Sequence, residues 1–157
     1  ITDEAAARSF LSKYDGGLGL GEWGFVVSGG DKLQMEMNKQ TGAVYVRARS
    51  TGSVTMGALH LFAGTVADVA GGATAADGIV VSEDGVELSS TKTNNVAFTA
   101  MEDTAVVPIL GAGPNGAGYN NFMGGTMGFV AIWAVALTLA QLLALKAPVN
   151  TYFGTSL

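Results

Sequence analysis

Apolar and polar residues alternate through KLQMEMN, with Leu33, Met35 and Met37 on one face and Gln34, Glu36 and Asn38 on the other. The same period runs through AVYVRARS, where Val44, Val46 and Ala48 oppose Tyr45, Arg47 and Arg49. A period of two marks strands with one buried and one wet face. GEWGFVVS, ALHLFAGTV, DGIVVSE, VELSST and NVAFTAM add further short β-like runs bounded by turn residues. Their spacing predicts an all-β sandwich built as a meander of antiparallel hairpins. Gly29-Gly30-Asp31 and Thr41-Gly42 supply positive φ at two connections, and Asp84-Gly85 is a two-residue hairpin signal. AGGATAAD reads as a surface loop and GAGPNGAGYNNFMGG as a long glycine-rich loop. No period of 20 to 50 residues repeats, which excludes solenoids and propellers.

The pattern changes near the C-terminus, where no charged residue occurs between Asp103 and Lys146. MGFVAIWAVALTLAQLLAL, from Met127 to Leu145, is long and apolar enough to span a bilayer. Its first half, however, is aromatic and β-branched, and its second half holds strong helix formers behind a plausible N-cap, Thr138. The stretch therefore predicts a strand running into one short helix.

Composition narrows the function. A chain of 157 residues forms one domain, 1–157, with a tail over 146–157 that could pack on or exchange with a neighbour. With 8 dispersed Lys and Arg and a net charge of -5, it lacks the clustered cations that nucleic acid requires. Without cysteine it has neither disulfides nor thiolate metal ligands. Only 13% of residues are charged, about half the usual share of roughly 25%, and such a surface is most comfortable when neighbours cover it.

Candidate catalytic groups are few. Paired carboxylates for glycoside hydrolysis would sit at even spacing on one strand. Here Asp3 and Glu4, Glu83 and Asp84, and Glu102 and Asp103 are adjacent, which on a strand sends them to opposite faces. His60 is the sole histidine; it excludes a two-histidine metal motif, leaves a Ser-His-Asp triad formally open, and reads as a hydrogen-bonded core or edge residue. GAGPNGAG lacks the lysine and helix of a phosphate loop. Trp23 and Trp133 lie in apolar strand patterns and read as core. A sugar site would combine aromatic faces with amides on loops. Tyr119, Asn120, Asn121 and Phe122 offer that combination, with Asn94 and Asn95 as a second polar loop tip.

The order of segments resembles the laminin-G-like modules of the concanavalin A-like lectin/glucanase jelly-roll superfamily. FLSKYDGGLGLGEWGFVVSGGDKLQMEMN is similar to its opening, in which a strand ending in a Lys-Tyr-Asp turn precedes paired antiparallel strands. GALHLFAGTV resembles a Trp-His-His segment followed by an apolar strand, with Leu59 at the tryptophan position and His60 kept. DGIVVSEDGVELSS resembles a strand, Asp-Gly turn, strand hairpin. GTMGFVAIWAVALTLAQLLAL fits the family's closing block through Gly125, Val130, Ile132, Trp133, Ala136, Leu137, Thr138, Leu142 and Leu145. Gly128, Ala131 and Gln141 depart from the usual Asp, Arg and Glu there.

The resemblance implies an antiparallel jelly-roll β-sandwich with one short C-terminal helix, the closing block being a buried strand followed by that helix. It also implies calcium at the sandwich rim, for which Asp15 and Asp68 are the candidate ligands; no other cofactor is expected. The family's strands upstream of Phe10 have no counterpart, so the sequence reads as a fragment, or as one whose sheet is completed by a neighbouring chain or by the tail KAPVNTYFGTSL. The expected function is a non-catalytic structural module of a virion or other extracellular assembly, such as a capsid decoration, tail or fibre component, acting as a homo-oligomer or with other structural proteins. The alternatives are a lectin-like, calcium-dependent carbohydrate-binding module and a membrane-anchored β domain.

Overall fold

The computed structural model describes residues 8–15, 20–39, 41, 43–55, 57–67, 71–102, 104–115, 118–120 and 122–154. Strands β1 (Arg8–Asp15), β2 (Leu20–Ser28), β3 (Lys32–Lys39) and β4 (Val44–Ser50) form the expected meander, each antiparallel to the next. Strands β5 (Phe62–Val66), β6 (Ile79–Glu83) and β7 (Val86–Glu87) make a second antiparallel sheet in that order. The chain then returns as β8 (Ser90–Thr93) beside β4 and β9 (Ile109–Leu110) beside β1, giving a six-stranded sheet ordered β8-β4-β3-β2-β1-β9. A hairpin of β10 (Gly113–Asn115) and β11 (Gly118–Asn120) follows. Helices α1 (Leu139–Ala144) and α2 (Lys146–Phe153) close the described chain.

Alternation decides the packing of the two sheets. In register, Met37 pairs with Trp23 on one side and Val46 on the other, and Met35 pairs with Phe25 and Ala48. These rows face β6, whose Ile79 and Val81 are fully buried. The Asp84-Gly85 turn forms as expected, joining Glu83 to Val86 with φ of 54° and 78°. Both residues lie in the left-handed region that a two-residue hairpin needs. Glycine at 85 meets a second demand, because a Cβ there would lie 2.9 Å from Leu143 Cα of α1, which packs on the turn.

Four expectations are corrected. AGGATAAD is not simply a surface loop: Gly72–Thr74 form a 3₁₀ turn, and Ala75 and Ala76 are buried in the core while Ala73, Thr74 and Asp77 stay exposed. Small side chains are what let this backbone enter, and Asn94 Oδ1 accepts the Ala76 N–H at 2.6 Å. NVAFTAM makes no strand. Gly72 N–H instead donates to Phe98 O at 2.7 Å, which places the Phe98 ring in the core beside the alanines. Within the glycine-rich stretch, β10 and β11 pair.

The fourth correction is the largest. MGFVAIWAV joins no β-ladder among the described residues; Ile132, Trp133 and Val135 are 65%, 45% and 69% exposed. Trp133 is therefore not core, whereas Trp23 is half-buried against it. The physical reason lies in the pattern: a run that is apolar on both faces offers no alternation to set a register. The segment lies along an apolar cavity of about 430 Å³, facing Phe10, Phe25, Met35 and Phe62 of the two sheets. At Gly128, where the resemblance would place Asp, α2 fills the space: a Cβ there would lie 2.7 Å from Phe153 Cζ.

The short helix α1 starts where expected. Thr138 Oγ1 accepts the Gln141 N–H at 3.2 Å and Gln141 Oε1 accepts the Thr138 N–H at 2.8 Å, a reciprocal capping box. The glutamine amide thus makes the contact that a glutamate would make at that position. No helix among the described residues is long and apolar enough to cross a membrane.

Candidate functional site

The wet face of the six-stranded sheet holds the first candidate site. Alternation sends Glu36 and Asn38 of β3 and Tyr45 and Arg47 of β4 outward, where with Tyr14 of β1 they line a hollow of about 360 Å³. Register places Arg47 opposite Glu36, with Nη1 3.9 Å from Oε2. The guanidinium also sits 5.2 Å from the Tyr45 ring centre, and its Nε donates to Thr93 Oγ1 at 3.3 Å. Burial pushes the Glu36 carboxyl above its ordinary value, opposed by a hydrogen bond with Asn38 and the charge of Arg47. Two tyrosines, an amide, a carboxylate and a guanidinium thus share one concavity, with Glu36 as the one carboxylate in its lining among the described residues.

The loop residues singled out in the sequence fall elsewhere. Tyr119 and Asn120 belong to β11, Phe122 beyond it is 60% exposed, and Asn121 lies outside the described residues. Asn94 and Asn95 follow β8, the edge strand four positions across the sheet from β1, against which β10 packs. Four strand spacings of about 4.8 Å separate β8 from β1, or about 19 Å, so the two tips do not form one site. Asn94 is also committed to structure: its Oδ1 holds Ala76 N–H and its Nδ2 donates to Asp77 Oδ1 at 3.2 Å. Asn95 Oδ1 accepts the Ala97 N–H at 3.0 Å, a local turn. Asp15 ends β1, and Asp68 lies outside the described residues.

A second cluster forms where the sequence suggested none. His60 Nδ1 lies 2.9 Å from Asp84 Oδ2 and 3.4 Å from Glu83 Oε1, so the histidine is hydrogen-bonded as expected. Adjacent carboxylates diverge on a strand, but Asp84 has left β6 for the left-handed turn, and both reach one imidazole. Asp84 Oδ1 accepts the Leu61 N–H at 2.8 Å and Glu83 Oε1 accepts the Thr55 N–H at 2.9 Å, which fixes both carboxylates. Nε2 is buried and has no hydrogen-bond partner among the described residues, so no serine hydroxyl completes a triad there.

The histidine before β5 and the Asp-Gly turn after β6 are two separate motifs of the resemblance, and the fold joins them by a direct hydrogen bond. A family model described as the concanavalin A-like lectin/glucanases superfamily matches residues 2–143. The chain belongs to this superfamily. Its antiparallel sheets, sandwich-like arrangement and short helix after the closing block are those of a concanavalin A-like jelly roll of laminin-G type. No curated protein and no solved structure matches the chain. The superfamily spans lectins and glucanases, so membership fits a binding or structural role and leaves the specific function to be argued from the sites.

Proposed function

We propose that this concanavalin A-like domain is a non-catalytic assembly module of a virion or other extracellular particle, joined to copies of itself or to other structural proteins. One observation carries the reading: Phe129, Val130, Ile132, Trp133 and Val135, which line the open apolar cavity, are exposed together, in a segment outside any described sheet and in a region of chain without charge. Contiguous exposed apolar surface marks contact sites. Burying one such side chain contributes about 1.5–3 kcal/mol, so together these offset an association cost of about 4–15 kcal/mol. Copies each carrying -5 repel one another least where a face without charge meets its like. The test is the solution mass by light scattering. A defined oligomer is expected, reduced to monomer in Ile132→Asp without change in the far-ultraviolet circular dichroism. A wild-type monomer at all concentrations up to near-millimolar would refute assembly through copies of itself.

The hollow on the wet face supports a second reading, a lectin-like module. Tyrosine faces with amide and charged hydrogen-bonding groups are what a sugar ring requires. A glycosidase needs two carboxylates across the bond, and among the described residues that line this hollow Glu36 is the one carboxylate. On a glycan array, retention lost in Tyr45→Ala would place the site in the hollow, and retention lost only in Tyr119→Ala would move it to the β10–β11 hairpin. No retained glycan would end this reading.

A further inference from the structure

We propose that His60, Glu83 and Asp84 form a binding site for one transition-metal dication such as Zn²⁺ or Co²⁺. The three ligand atoms lie within 4.8 Å of one another, and the side chains are 13%, 13% and 22% exposed. Metal bonds of about 2.0–2.2 Å to nitrogen and oxygen separate neighbouring ligands by roughly 2.9–3.4 Å. The separations from Nδ1 to the two carboxylates are 2.9 and 3.4 Å, so two of the three donor pairs already stand at that spacing, and the third lies within 4.8 Å.

The donor set selects the class of cation. One imidazole nitrogen with two carboxylate oxygens suits a borderline ion, whereas Ca²⁺ takes oxygen alone. Two carboxylates balance a double charge. The Leu61 and Thr55 N–H groups hold the carboxylates in place from outside, as second-layer partners do in metal sites. The imidazole hydrogen-bonds through Nδ1 and stacks on Phe62 with ring centres 5.8 Å apart, while Nε2 has no hydrogen-bond partner among the described residues. In the metal-free protein both neighbours of Nδ1 only accept, so Nδ1 donates to them; a cation bound at Nδ1 takes the neutral tautomer whose one proton sits on Nε2, so the Nδ1 proton leaves to solvent and Nε2 takes one up. Three protein ligands leave a coordination position for water. The bound ion would tie the approach to β5 to the β6–β7 turn on which α1 rests.

The test uses the full chain without an affinity tag. Titration with Co²⁺, followed by its visible d–d absorption, should reach one equivalent; Zn²⁺ should displace it, and either ion should raise Tm. Asp84→Asn keeps an Asn-Gly turn and an acceptor for Leu61 N–H, so it should fold, and it should lose at least about tenfold in affinity. His60→Gln should lose as much, while Asp77→Asn, away from the cluster, should bind as wild type does. Absence of sub-millimolar binding, unchanged affinity in both cluster variants, or preference for Ca²⁺ would each overturn the proposal. None of these outcomes bears on the assembly reading, which is decided by mass.

Discussion

The meander face against β6 and the closing segment over 127–135 are both strongly apolar, yet only one is a core. On the meander, apolar residues alternate with Gln34, Glu36, Asn38, Tyr45 and Arg47, so each strand has one face to bury and one to wet. Leu33, Val46, Ala48, Ile79, Val81 and Phe98 are consequently fully buried. Along 127–135 there is no polar residue to choose a face, and the segment stays unpaired with its largest side chains exposed. Hydrophobicity supplies the drive to bury surface; alternation supplies the register in which it is buried.

This contrast is sharpest when one large side chain is removed from each region. Phe98→Ala should lower the unfolding free energy by about 3–5 kcal/mol, the cost of a cavity under a fully buried ring. Ile132→Ala should change it by no more than about 0.5 kcal/mol, as for an exposed position. Denaturant unfolding of monomeric protein measures both. Equal losses would show that the closing segment is packed as tightly as the core.

A smaller effect concerns how the meander holds the chain that leads to the closing segment. Glu22 is buried on β2, with Oε1 2.7 Å from Lys13 Nζ and accepting from Thr104 N–H at 2.6 Å and Thr104 Oγ1 at 2.7 Å. Burial raises its carboxyl pKa, but the hydrogen bonds from Lys13 and Thr104 outweigh that and hold it below the ordinary value. A carboxyl depressed in the folded state stabilises fully above its unfolded pKa, about 4.3, and that stability is lost as pH falls through the folded pKa. Glu22→Gln should therefore cost about 1–3 kcal/mol at neutral pH and flatten the acid limb of the stability profile. An unchanged limb would show that the tie to Thr104 carries no stability.

Much of the fold was legible residue by residue. β3, β4 and the Asp84-Gly85 turn follow from period-two patterning and local turn chemistry, and the Thr138 cap from a side chain able to bond its own helix. The buried alanines of AGGATAAD were not legible, because a small apolar residue reads alike in a loop and in a crowded core. Nor was the metal-like cluster: its two carboxylates are neighbours in sequence, and strand geometry alone would part them.

The sequence by itself determined the meander, its wet and dry faces, the turn at Asp84-Gly85 and the resemblance to the superfamily, since each rests on interactions within a few residues. Tertiary structure alone decided that Phe98 and Ala76 enter the core, that 127–135 stays outside a sheet, that Tyr14 joins Glu36 and Arg47 in one hollow, and that His60 meets Glu83 and Asp84. Each of these depends on which distant backbone arrives opposite, and that choice is made by the packing of whole sheets.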